Sequence, residues 1–194
     1  MTSSEPEGQA PSGVSRIRTF LIARDRILCI AIVLAVVAPT VAVAAKVTPS
    51  TVGLPAARDF GMWDTQTLDS IRLSDYRGKV VFLDIMATWC VPCQESMPDL
   101  RTIHANYAGD SFVMLSVTGD PLDTLAKMED YRTRYFANWT CGGPVDALQL
   151  RYDYLATGFP TVVIIARDGL MTYRAVGRVP LATLIAHVED TLNV

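Results

Sequence analysis

Residues 79–100, KVVFLDIMATWCVPCQESMPDL, constrain this chain more than any other stretch. Val80 to Met86 is apolar and partly β-branched, the composition of a strand buried on both faces of a sheet, and Pro92 stands where a helix begins. Cys90 therefore falls at a strand-to-helix junction. The unpaired backbone N–H groups at that helix N-terminus, and the dipole behind them, favour negative charge and lower the pKa of a thiol placed there. Cys90 is the candidate nucleophile. Cys93 follows three residues later, within one helical turn, where it can attack a mixed disulfide at Cys90 and release the bound partner. Two thiols at this spacing make a reversible redox switch, with Cys90 and Cys93 as its redox disulfide.

The same pair is also half of a structural zinc site, which requires two further ligands. The remaining candidates, Cys29, Cys141, His104 and His187, include no second closely spaced pair, and Cys29 sits inside an apolar run. Neither a metal nor a cofactor is expected.

The segment Ala87-Thr88-Trp89-Cys90-Val91-Pro92-Cys93, followed by Met97-Pro98, resembles the active site of the thioredoxin superfamily. Within that superfamily it is most similar to the exported, membrane-tethered TlpA-like and ResA-like thiol-disulfide oxidoreductases. Residues 71–79, IRLSDYRGK, resemble the segment that precedes the catalytic strand there, and Gly158-Phe159-Pro160-Thr161 resembles the cis-proline loop. The resemblance runs from about Asp59 to the C-terminus. It implies a substrate-binding role for Trp89, Phe159 and Pro160, with Trp89 covering one side of the dithiol and the backbone beside Pro160 pairing with substrate. Read without the resemblance, Trp89 is a partly exposed packing residue and Pro160 a loop proline ahead of a strand.

Asp84 lies six residues before Cys90, in the middle of an otherwise apolar strand. Desolvation raises the pKa of a carboxyl so placed, which suits it to take the proton from Cys93 when that thiol attacks. The resemblance implies the same catalytic role, because thioredoxins carry an acid here, whereas ResA-like proteins often carry Asn here and a Glu three residues after the second cysteine. In this chain that later position is Ser96. Glu95 is one residue earlier, about 100° away around a helix, and reads instead as a solvated acid in the first turn. The acid-base task falls to Asp84. Cys141 reads as a buried or free thiol in preference to a third redox thiol.

The N-terminus has a different character. Residues 1–26 form a tail rich in Ser, Gly, Pro and Glu that becomes basic at Arg16, Arg18, Arg24 and Arg26, with no apolar periodicity, and are expected to be disordered. Residues 27–45 are apolar apart from Pro39 and Thr40. Two fates fit them. Their length just reaches that of a membrane span, with the preceding arginines predicting a cytoplasmic N-terminus, yet Ala42-Val43-Ala44 also fits a signal-peptidase site. The anchor is the preferred reading, and export of the following domain survives either way. Cys29 precedes the apolar core and does not fit a lipidation site. Residues 46–57 are a polar, Pro-containing linker, and 58–194 the globular domain.

Within that domain, Asp59 to Leu73 reads as two short strands around a polar turn, and Ser74 to Gly78 as a capped turn. Pro92 to Tyr107 is a helix with Pro98 inside it, an interior proline that removes a backbone hydrogen bond. Ser111 to Thr118 is a strand, Pro121 to Phe136 a helix, Phe136 to Pro144 a Gly-rich loop, and Val145 to Leu155 a short helix. Thr161 to Ala166 and Leu170 to Val176 form a hairpin around Arg167-Asp168-Gly169, and Pro180 to Leu192 closes as a helix. The alternation of strands and helices after Lys79 predicts an α/β fold: a central mixed β-sheet flanked by helices, with an N-terminal β-hairpin extension and one N-terminal membrane segment. The resemblance makes that fold thioredoxin-like.

With a net charge of −3 and no basic stripe, the chain shows no nucleic-acid footprint. The resemblance implies a reductase of disulfides in exported proteins, for example apocytochrome c, recharged by a membrane dithiol electron donor. The reducing direction follows from Val91-Pro92, which brings no cation between the cysteines to stabilise the Cys90 thiolate strongly. Two alternatives share the fold. A Sco-like copper chaperone needs a Cys-x-x-x-Cys pair plus a histidine, and a peroxiredoxin-like peroxidase needs Thr where Ala87 stands.

Overall fold

The computed structural model describes residues 54–193. The tail, the apolar segment 27–45, the alanine-rich cleavage motif, Cys29 and most of the linker lie outside the described residues. Among the described residues no helix is long and apolar enough to cross a membrane.

The strands are β1 (Gly61–Asp64), β2 (Ser70–Arg72), β3 (Val80–Met86), β4 (Phe112–Thr118), β5 (Thr140–Pro144), β6 (Thr161–Ile165) and β7 (Met171–Val176). The helices are α1 (Val91–Tyr107), α2 (Leu125–Arg134), α3 (Ala147–Asp153) and α4 (Leu181–Leu192), with a 3-10 turn at Leu73–Tyr76. All seven strands form one sheet in the order β2-β1-β5-β4-β3-β6-β7. β3 runs parallel to β4 and antiparallel to β6, so the sheet is mixed, as the sequence predicts.

β3 lies inside the sheet between β4 and β6, its seven residues are all buried, and their alternation feeds two cores. Val80, Phe82 and Met86 pack with Leu100 and Ile103 of α1, Met128 and Tyr131 of α2, and Leu184 and Val188 of α4. Val81, Leu83 and Ile85 point the other way, toward Leu150 of α3, Tyr154 and the N-terminal hairpin. Three helices thus cover one face, and α3 with the hairpin covers the other.

Three sequence expectations need correction. The Gly-rich stretch read as a loop is β5, which pairs antiparallel with β1 and parallel with β4 and so joins the hairpin to the sheet. Glycine is required there: a Cβ on Gly142 would overlap the Trp63 carbonyl oxygen and crowd Met62 Cε, 2.7 Å away. α2 starts at Leu125, not Pro121, because the Thr124 hydroxyl caps it by accepting from Lys127 N–H at 3.2 Å, leaving residues 119–124 as a loop. The third correction concerns the linker boundary. Ala57 N–H bonds to the Gly169 carbonyl at 2.9 Å, and Met171 N–H to the Pro55 carbonyl at 3.3 Å, so residues 55–57 already belong to the domain.

Candidate active site

β3 delivers the chain to a tight turn in which Cys90 N–H bonds to the Ala87 carbonyl at 3.1 Å. Cys90 is the N-cap of α1, with Pro92 in the first turn, and its Sγ accepts the Cys93 N–H at 3.2 Å. One of the otherwise orphaned amides of the helix therefore points at the sulfur, where it stabilises a thiolate whenever the pair is reduced. Cys90 and Cys93 are joined in a disulfide with Cα atoms 5.3 Å apart. Both cysteines are only 3% exposed, whereas the flanking Trp89 is 63% exposed. The sulfurs are thus nearly enclosed, with the Trp89 indole exposed beside them.

The residues that the sequence places around the dithiol are brought together in part. The Phe159–Pro160 peptide bond is cis, and the Phe159 ring meets Trp89 edge-on at 6.2 Å between centroids. The Arg151 guanidinium lies over the other part of this assembly, 5.1 Å from the Phe159 centroid. Through that aromatic pair the cis-proline loop abuts the Cys-x-x-Cys loop. Asp84 is 3% exposed and lies on the same sheet face as Val80, Phe82 and Met86, the face that α1 covers with Cys93 and Met97. Its hydrogen-bond partner is the Ser116 hydroxyl, which donates to Oδ2 at 3.0 Å; Cys93 makes no hydrogen bond to it in the disulfide state. Burial raises the Asp84 pKa to about 7, against the opposing pull of the Ser116 hydrogen bond.

Ser96, one helical position past Glu95, faces inward and donates to the Pro92 carbonyl at 2.8 Å. Glu95 faces solvent opposite Arg178, 3.8 Å away, which fits its solvated reading. It is not a first-turn acid, however, since α1 begins at Val91 and its first turn holds none. Cys141 is free and buried, and desolvation pushes its thiol well above the ordinary range, so it remains protonated.

Besides Ser116, the partner of Asp84, two loop carboxylates escape the sequence reading. Asp123 bridges the loop before the dithiol to the end of β4: its carboxylate accepts from Thr88 N–H at 2.8 Å, Thr88 Oγ1 at 2.6 Å and Thr118 Oγ1 at 2.9 Å. Asp120 accepts from the Trp89 indole N–H, which holds its carboxyl below the usual carboxylate range. The available signal was the Asp-Pro turn at Asp120-Pro121 with Thr124 as a helix cap. Beside these residues opens a cleft of about 510 Å³ lined by Thr88, Trp89, Gln94, Lys127, Tyr131 and Tyr135, among others.

The Redoxin family model matches residues 51–190. The chain belongs to the Redoxin family. Among curated relatives it is 37% identical to thiol-disulfide oxidoreductase ResA of Geobacillus kaustophilus over 75 residues, 38% of this chain. The chain spans 42% of the length of that relative. Among solved structures, a thiol:disulfide interchange protein DsbE of Chlorobium tepidum superposes with a TM-score of 0.64 at 27% identity, covering 72% of this chain and 97% of that one. The exposed lipoprotein thioredoxin Etrx1 of Streptococcus pneumoniae gives a TM-score of 0.55 at 26% identity, covering 69% of this chain and 99% of that one. This member of the Redoxin family therefore has a thioredoxin-like fold and is ResA-like, in agreement with the resemblance carried by its motifs.

Proposed function

We propose that this Redoxin-family protein is a thiol-disulfide oxidoreductase that reduces disulfides in exported proteins, with its domain held outside the cytoplasm by residues 27–45. The observation that carries the reading is the Cys90–Cys93 disulfide at the N-terminus of α1, with Cys90 Sγ facing the Cys93 amide. In the reduced protein the Cys90 thiolate attacks one sulfur of the substrate disulfide. A mixed disulfide forms, and the other substrate sulfur leaves as a thiolate and takes up a proton. Asp84, ionised at that stage, accepts the Cys93 proton, directly or through one water. The Cys93 thiolate then attacks Cys90 Sγ, closing the protein disulfide and expelling the second substrate sulfur, which is protonated in turn. Two electrons have passed to the substrate. A dithiol donor in the membrane must return them before the next cycle, and apocytochrome c fits as one substrate.

The substrate-binding role belongs to Trp89, Phe159 and Pro160. Exposed aromatic surface beside a nearly buried disulfide favours a polypeptide partner that can lay a segment over Trp89 and along the cis-proline loop. Export is supported by the apolar segment behind an arginine-rich flank and by likeness to a protein whose name describes it as an exposed lipoprotein. The copper alternative finds less support, and Ala87 stands where a peroxiredoxin-like peroxidase needs Thr. His104 packs on Trp139 and His187 stacks on Tyr173, and among the described residues no three His, Cys, Asp or Glu side chains are grouped to hold a metal.

Insulin-disulfide reduction by the reduced protein tests the proposal, with copper titration and peroxide consumption run alongside. Turnover of insulin that is lost in Cys90→Ser supports it. Tight one-to-one copper binding or peroxide turnover without disulfide reduction would overturn it.

A further inference from the structure

Asp84, Ser116 and Cys141 stand in one row across β3, β4 and β5, since Asp84 pairs with Ser116 and Ser116 with Cys141. Trp139, just before β5, turns its indole into this row, and its Nε1–H donates to Ser116 Oγ at 3.0 Å. Ser116 Oγ in turn lies 3.0 Å from Asp84 Oδ2. An indole nitrogen can only donate, and a serine hydroxyl has a single hydrogen. With one lone pair of Ser116 already receiving the indole hydrogen, its own hydrogen is committed to Asp84. Reversing the second bond would leave that hydrogen without an acceptor among the described residues, at a residue that is 1% exposed.

We propose that Trp139 and Ser116 form a one-way hydrogen-bond relay ending on Asp84 Oδ2, and that both are positioning residues for the resolving step. The relay donates toward the carboxyl and therefore favours its ionised form, opposing the desolvation that favours the protonated form. It also assigns the exchanging proton to Oδ1, because Oδ2 faces a hydrogen. Two bonds in series polarise one another, so the indole strengthens the Ser116 bond without touching Asp84.

The other groups around the row do not replace this function. Cys141 of β5 and Tyr131 of α2 are both pushed up by burial and stay neutral while Asp84 titrates. His104 of α1 packs against Trp139, 5.4 Å between ring centroids, and partial burial holds it below its ordinary value. Cys90 and Cys93 also lie on this face, joined in the disulfide. Tyr135 packs on Tyr131 at 4.6 Å between centroids, Tyr107 and Tyr173 pack at the edge of the same core, β6 presents Val162, and α4 contributes Leu184 and Val188.

The inference rests on the reading of Asp84 as the base for Cys93, and the test separates the two. In the oxidised protein, where Cys90 and Cys93 do not titrate, the Asp84 carboxyl is followed by carbon NMR against pH. Ser116→Ala should raise its midpoint by about one pH unit, a roughly tenfold gain in proton affinity. Trp139→Phe should raise it by less, and the double variant should match Ser116→Ala alone, because the indole acts only through Ser116. Ser116→Thr, which keeps the hydroxyl, should restore the parent midpoint. Trp139→Phe keeps a ring in the core and decides the sign independently of how well Ser116→Ala folds. An unchanged midpoint in Ser116→Ala, or an equal Trp139→Phe shift with and without the Ser116 hydroxyl, overturns the relay. The pH profile of mixed-disulfide resolution should move with the carboxyl. A carboxyl that moves while that profile stays upholds the relay and overturns the catalytic reading of Asp84.

Discussion

At the scale of single residues, Asp84 carries the strongest conflict in the chain, a carboxyl fully enclosed in a strand otherwise made of apolar side chains. Its raised pKa fixes the sign of two effects. In the unfolded chain the group ionises near 3.8, and in the folded protein near 7, so the native state holds an extra proton between those values and stability falls as pH rises through that window. Asp84→Asn lacks this penalty. It should be more stable above neutral pH by an amount that approaches roughly 4 kcal/mol before repacking costs, and indistinguishable in slope below the unfolded value. The same substitution should slow resolution of the mixed disulfide by about 10²–10⁴-fold. Denaturant midpoints and single-turnover rates across pH check both, and parent-like values for both would remove Asp84 from the mechanism. Cys141→Ser, by contrast, should keep most insulin-reducing turnover, since a thiol held protonated in the core takes no part in exchange; loss of turnover with an intact fold would contradict this. Asp84 could be read from the sequence because it interrupts an apolar run, and Cys90 and Cys93 because their spacing is local. Ser116 and Asp123 could not, because their partners lie 32 and 35 residues away and are set by strand register and loop return.

At the scale of elements, the helices and most strands follow their periodicity, and β5 does not. Its Thr-Cys-Gly-Gly-Pro sequence has the composition of a turn, and it becomes a strand because β1 and β4 hold it from both sides. The glycine that disguises β5 is the one its pairing needs. Gly142→Ala would drive a methyl group into the Trp63 carbonyl and should cost about 1–3 kcal/mol or more, the range for overpacking a tight site. A lowered denaturant midpoint checks this, and a parent-like midpoint would mean that β1 and β5 part easily. The sequence puts the start of α2 at Pro121, four residues too early, for a related reason. Pro121 has the chemistry of a helix start, but Asp120 and Asp123 on either side of it are engaged by Trp89 and Thr88, so the loop serves the active site and Thr124 begins the helix.

At the scale of the whole molecule, alternating elements determine an α/β sheet with covered faces, but the neighbour order of the strands comes only from three-dimensional pairing. That order puts the end of β3, the end of β4 and the start of β6 side by side. There the dithiol, the Asp123 clamp and the cis-proline loop converge, at the carboxyl ends of the parallel strands where open α/β sheets place their sites. The central claim is that Cys90 attacks and Cys93 resolves. It is tested most directly by incubating the reduced Cys93→Ser and Cys90→Ser variants with a disulfide-bonded polypeptide, then weighing and mapping the covalent adducts by mass spectrometry. Cys93→Ser should accumulate a long-lived one-to-one mixed disulfide at Cys90, and Cys90→Ser should accumulate none. A stable adduct at Cys93 in the Cys90→Ser variant, with none in Cys93→Ser, would reverse the roles and contradict the account.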